Sequence, residues 1–189
     1  MKSWGGTIAN MAKAVTKIVE VFHWAAAALM VGVTVCSAVY PSWTRDAFAS
    51  EVKDCCGADL KVYGFEVNAR VTDGTVDARA LLLFGIVSVL LLSLMAMIFR
   101  RLNRIIKNSE GTTPFQSDNV RMLGEVGLLS IAVPAVGFLM SIVTRLVLGA
   151  DAAEISNHFS GFVIGIVVLC MTQFFARGIE LEKDVDGLL

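Results

Sequence analysis

Four stretches of the chain, residues 21–44, 80–99, 126–144 and 155–176, contain no Asp, Glu, Lys or Arg. A helix rises about 1.5 Å per residue, so about 20 mostly apolar residues cross a hydrocarbon core about 30 Å thick. Each stretch therefore predicts a membrane-spanning helix. The predicted helices cover about 18–40, 80–107, 117–148 and 155–183. The expected fold is an all-α integral membrane protein, a single membrane domain over residues 1–189. The first apolar run, to about residue 39, exceeds the roughly 7–15 residues of a cleaved signal core and reads as a retained anchor.

The pattern changes in the loop 41–79. There Phe65, Val67, Ala69 and Val71 alternate with Glu66, Asn68, Arg70 and Thr72, the period of a half-buried strand. Residues 60–63 could pair with it across Gly64, or Asp73-Gly74 could turn the chain back. A small external β element follows, either a lid over the helix ends or a ligand-recognition surface. After the second span a helical pattern persists. Phe99, Leu102, Ile105 and Ile106 share one face, while Arg100, Arg101, Arg104 and Lys107 occupy the other. Gly111 and Pro114 break that helix, and Ser117 or Asp118 is placed to cap the next.

Charge then sets orientation. Ten Lys and Arg fall in residues 1–20, the segment between spans two and three, and the tail; six fall on the opposite side. Both termini are accordingly expected in the cytoplasm. Composition agrees with a membrane class: the chain is 56% hydrophobic and 17% charged, with three prolines and a mean hydropathy of +0.69. These values exclude a disordered chain, a coiled coil and most soluble enzymes. A net charge of −1 gives no global basic field, so no direct nucleic-acid contact is expected. The tail, with Glu180, Glu182, Asp184 and Asp186 against Arg177 and Lys183, is acidic and could pair with the basic hairpin or yield it to a partner.

Candidate chemistry is sparse. Cys55 and Cys56 are adjacent in the external loop, where one could bridge to Cys36 or to a second chain, or both could stay free. No Cys/His spacing supplies the three or four ligands of a metal site, and Cys170 reads as a small core residue. His23, Arg145, His158 and Gln173 lie near span ends, and no carboxylate lies in mid-span, which counts against coupled transport. Pro134, and the Gly161/Gly165 pair that could dock a second copy, read as packing features. No motif of metal-dependent, phosphate-binding or paired-carboxylate chemistry is present, so neither an enzyme nor a cofactor is expected.

Two segments carry a resemblance. One is Phe99-Arg100-Arg101-Leu102 with Gly111, Pro114-Phe115, Asn119-Val120-Arg121, Leu123 and Gly127. The other is Phe175-Ala176-Arg177-Gly178-Ile179-Glu180-Leu181 with Glu182, Asp184 and Asp186. Together they resemble the bacterial four-helix membrane family called domain of unknown function 2975, over residues 80–189. The chain departs from the family pattern at its last four residues, Asp186-Gly187-Leu188-Leu189. The resemblance implies a bacterial inner-membrane location. Because such proteins are often encoded beside a very small helix-turn-helix DNA-binding protein, it also implies a membrane partner for a transcription regulator.

The leading expectation is thus a non-enzymatic regulator or adaptor. Its cytoplasmic face would use Arg100, Arg101, Arg104, Asn119, Arg121, Arg177, Glu180 and Glu182 to bind a small protein, with membrane lipid around the basic hairpin. A second expectation, from another class, is a small permease, exporter subunit or immunity protein against membrane-active peptides. It would need a polar cavity lined by His23, Gln173, Ser88, Ser93 and Ser130. A third is an assembly subunit, in which the Gly161/Gly165 face would form a homodimer.

Overall fold

The computed structural model describes residues 2–40, 58–69, 71–72, 75–109, 116–154 and 159–186. Four helices, α1 (Lys2–Val39), α2 (Ala78–Asn108), α3 (Ser117–Leu148) and α4 (Phe159–Asp186), dominate it. All four are long and apolar enough to cross a membrane. Among the described residues five short strands accompany them: β1 (Ala58–Val62), β2 (Phe65–Ala69), β3 (Val71–Thr72), β4 (Thr75–Val76) and β5 (Ala153–Glu154).

The starts of α1 and α4 differ from the sequence expectation, while α3 begins at Ser117 as expected. α1 begins at Lys2 rather than near residue 18. Nothing between Lys2 and Val39 is a proline, and Asn103 of α2 anchors the early turns of α1. At α3 the bond from Val120 N–H to the Gln116 carbonyl makes Gln116 the cap. Ser117 and Asp118 sit in the first turn instead, where the Asp118 carboxylate still favours the positive helix end. α4 begins at Phe159 rather than near residue 155, and Ala153 and Glu154 pair with β2 as a strand. Pro134 is carried inside α3. That helix ends at Gly149, whose φ of 110° only glycine adopts without strain and whose N–H bonds the Arg145 carbonyl.

The residues expected to form one membrane domain cluster into two compact units. One comprises Trp24–Ser93 and Val133–His158. Its sheet has the order β1-β2-β5, antiparallel throughout, with Leu60 opposite Val67 and Val67 opposite Ala153. The turn at Gly64 suggested by the sequence is used, and Asp73-Gly74 lies outside the described residues. Tyr63 and Gly64 connect β1 to β2 with φ of 43° and 84°, two positive values as a tight hairpin turn requires. β3 and β4 pair on either side of 73–74. The alternation works as expected: Phe65 and Val67 are fully buried, while Glu66 and Asn68 are half-buried. Burying two such side chains contributes roughly 1.5–3 kcal/mol each. Phe65 stacks on Phe84 of α2 with ring centroids 6.3 Å apart.

The other unit comprises Met1–His23, Leu94–Ala132 and Phe159–Leu189. The side-chain amide of Asn103, itself buried, donates to the Lys13 carbonyl at 2.9 Å and to Thr16 Oγ1 at 3.1 Å, tying α2 to α1. His23 lies 5.5 Å, ring to ring, from Phe99. Between α3 and α4 the contact is made by missing side chains. A Cβ on Gly165 would lie 2.9 Å from the Gly127 carbonyl oxygen, and one on Gly127 would lie 3.2 Å from the Leu169 nitrogen. The Gly165 surface is therefore packed against α3 within the chain.

Candidate functional site

The helical repeat places Met97, Arg100, Arg101 and Arg104 on one stripe of α2, at intervals of three, four and seven residues. They line a groove of about 400 Å³ together with Glu125, Leu128 and Leu129 of α3. Glu125 organises it. One carboxylate oxygen meets Arg101 Nε at 2.9 Å, and the other lies 3.5 Å from Arg121 Nε, one turn earlier on α3. Arg100 and Arg104 are exposed and carry no ion pair among the described residues. In sequence terms Glu125 only marks the start of a span. In the fold it is the acid that holds the basic stripe in place.

Asn119 belongs to a different surface. On α3, Asn119, Val120 and Leu123 face roughly opposite to Glu125 and Leu128 around the helix. With Ile105 of α2 and Val168, Met171 and Phe175 of α4, they line a second groove of about 330 Å³, apolar apart from Asn119. Asn119 is 3% exposed. Its amide donates to Ser109 Oγ at 3.2 Å, and Ser109 Oγ donates to the Ile105 carbonyl at 2.9 Å, so the end of α2 is stitched to the start of α3.

The single cytoplasmic surface expected from sequence is thus two grooves on opposite flanks of α2 and α3. Arg100, Arg101 and Arg104 line one, with Arg121 joined through Glu125. Asn119 lines the other. Arg177 and Glu180 are exposed on α4. Glu182 lies within α4, but its side chain is outside the described residues. The described ion pairs of the hairpin, from Arg101 and Arg121, both go to Glu125. Cys55 and Cys56 lie outside the described residues, as does His158. Cys36 carries a free, exposed thiol. Cys170 is also exposed rather than in the core, because Gly165 turns the opposite side of α4 toward α3.

The polar side chains named for a transport cavity have other engagements. Ser93 and Ser130 donate to the carbonyls of Val89 and Val126 in their own helices. His23 Nδ1 lies 2.7 Å from the Val19 carbonyl, and Gln173 is exposed. Ser88 is buried, with no partner for its hydroxyl among the described residues. Glu20, just before the first uncharged stretch, is buried and meets Lys17 Nζ at 3.0 Å. Asn103 was missed altogether by sequence reasoning. It sits in a run of arginines that reads as surface, and only its spacing of four from Phe99 and three from Ile106, which sets it at the edge of the apolar face, could have set it apart.

Comparison of the chain with protein-family models, curated proteins and solved structures finds no match.

Proposed function

We propose that this protein is a non-enzymatic, multi-pass adaptor of a bacterial inner membrane. Its termini face the cytoplasm, and its apolar groove receives a hydrophobic segment of a small helix-turn-helix transcription factor. The observation that carries this reading is the groove itself. Ile105, Val120, Leu123, Val168, Met171 and Phe175 surround about 330 Å³ where the adjoining ends of α2 and α3 meet the uncharged stretch of α4, with one buried amide, Asn119, for orientation. Sites of this kind combine apolar walls with a few polar groups that fix the occupant. The resemblance to the domain of unknown function 2975 family supplies the class of partner. Exposed Arg177 and Glu180 lie further along α4, on the side turned away from the groove lining.

The test is a mild-detergent pull-down of the tagged protein from its native membrane, with bound proteins identified by mass spectrometry. Recovery of a small DNA-binding protein that is lost in Val120→Trp, which fills the groove, supports the adaptor. Recovery of that protein at equal yield in Val120→Trp removes the groove from the reading. Recovery of transporter subunits instead overturns it in favour of a permease or exporter subunit.

A further inference from the structure

We propose that the arginine groove between α2 and α3 is a binding site for one anionic phospholipid. Its phosphate would sit at Arg100 and Arg104, and the start of an acyl chain would lie over Met97, Leu128 and Leu129. The argument begins with order along the helices. On α2 the apolar residue, Met97, precedes the arginines, and lies toward the uncharged stretch 80–99. On α3 the charged residue, Glu125, comes first, and Leu128 and Leu129 follow into the uncharged stretch 126–144. The groove is therefore polar at its end by the helix termini and apolar where it enters the span. That is the polarity of a lipid lying with its headgroup at the membrane surface.

Charge narrows the class. The lining holds three arginines and one glutamate, a balance of +2. Glu125 is committed to Arg101 and Arg121, which leaves the exposed Arg100 and Arg104 facing outward. A lipid with net negative charge satisfies both, whereas a zwitterionic headgroup brings its own cation. Orientation in the membrane requires only a count of basic residues. It does not require a stripe braced by an acid across a cleft. The proposal rests on the four helices lying in a bilayer and is independent of any protein partner.

Native mass spectrometry of the full chain in a non-ionic detergent tests it, with phosphatidylglycerol and phosphatidylcholine of identical acyl chains as probes. Phosphatidylglycerol should be retained in preference. A basic side chain near an anionic lipid surface contributes about 1 kcal/mol. Arg100→Gln with Arg104→Gln should therefore cost about thirty-fold in phosphatidylglycerol affinity, about 2 kcal/mol at 1.4 kcal/mol per factor of ten. Both positions are exposed, so the double variant should fold. Lysine at both positions should keep most of the preference, and Arg79→Gln, at the other end of α2, should keep all of it. Equal retention of the two lipids overturns the proposal, as does unchanged phosphatidylglycerol affinity in the glutamine variant. Binding of glycerol 3-phosphate as tightly as the intact lipid also overturns it, because the groove would then be a site for a soluble anion.

Discussion

Replacing Gly165 by alanine tests how α3 and α4 are held together. The added Cβ would lie 2.5 Å from Ile131 Cγ1, 2.9 Å from the Gly127 carbonyl oxygen and 3.1 Å from the Ile131 nitrogen. The first of these neighbours can rotate away; the other two are backbone and cannot. Relief requires α4 to move off α3 by a few tenths of an ångström or more, along a contact in which Gly127 meets Leu169 in the same way. Overpacking of this kind costs about 1–3 kcal/mol. Alanine also raises helix propensity by about 1 kcal/mol, which works in the opposite direction. Gly32 isolates that second effect, since a Cβ there meets nothing within 4 Å. Gly124 gives an intermediate case, with Thr172 Cγ2 at an ordinary 3.6 Å. Unfolding by denaturing detergent, followed by circular dichroism in mixed micelles, should place Gly165→Ala about 1–3 kcal/mol below Gly32→Ala, with Gly124→Ala close to Gly32→Ala. Agreement of all three within about 0.5 kcal/mol, the usual scatter between independent sites, would refute a close backbone contact between α3 and α4.

Two further outcomes follow from the same structure. Asn103→Leu removes both bonds to α1, each worth about 0.5–1.5 kcal/mol net, so it should destabilise by about 1–3 kcal/mol although the Lys13 carbonyl keeps its bond from Thr16 Oγ1. Ser93→Ala, which loses only a bond within its own helix, should change the same unfolding curve far less. Burial pushes the Tyr63 phenol above its ordinary 10.0, because the hairpin disfavours the charged form. Any stability linked to that proton is full below about 10 and is lost as pH rises through the higher folded value. With Tyr63 the sole tyrosine in Tyr40→Phe, phenolate absorbance should rise with a midpoint above 10.0 in the folded protein. A midpoint that does not move on unfolding would contradict it.

Much of the fold could be read from residue order because the governing patterns are local. Spans show as the absence of charge, and the Phe65–Val67 face shows as strict alternation. The two-residue strand Ala153–Glu154 is different. Nothing in its own sequence marks it, and it exists because the free edge of β2 offers Glu66 and Val67 as partners. The early start of α1 is also non-local. Residues 2–17 contain two glycines and three lysines, weak signs of a helix, and the bonds from Asn103 come from 90 and 87 positions away.

The candidate site divides along the same line. The stripe Met97, Arg100, Arg101 and Arg104 is one face of one helix, so periodicity alone groups it. What periodicity of α2 cannot supply is the rotation of α3 against it. Seen from α3, Arg121, Glu125 and Leu128 share one side and Asn119, Val120 and Leu123 the other, so residues close in sequence serve opposite grooves. Asn119 and Arg121 are two positions apart, about 200° around the helix, and a surface that joined both would have to wrap the helix. The pairing of Glu125 with Arg101 fixes which side faces the basic stripe. The charge of the hairpin and its apolar groove are consequently separate features, and a substitution in one can be read without disturbing the other.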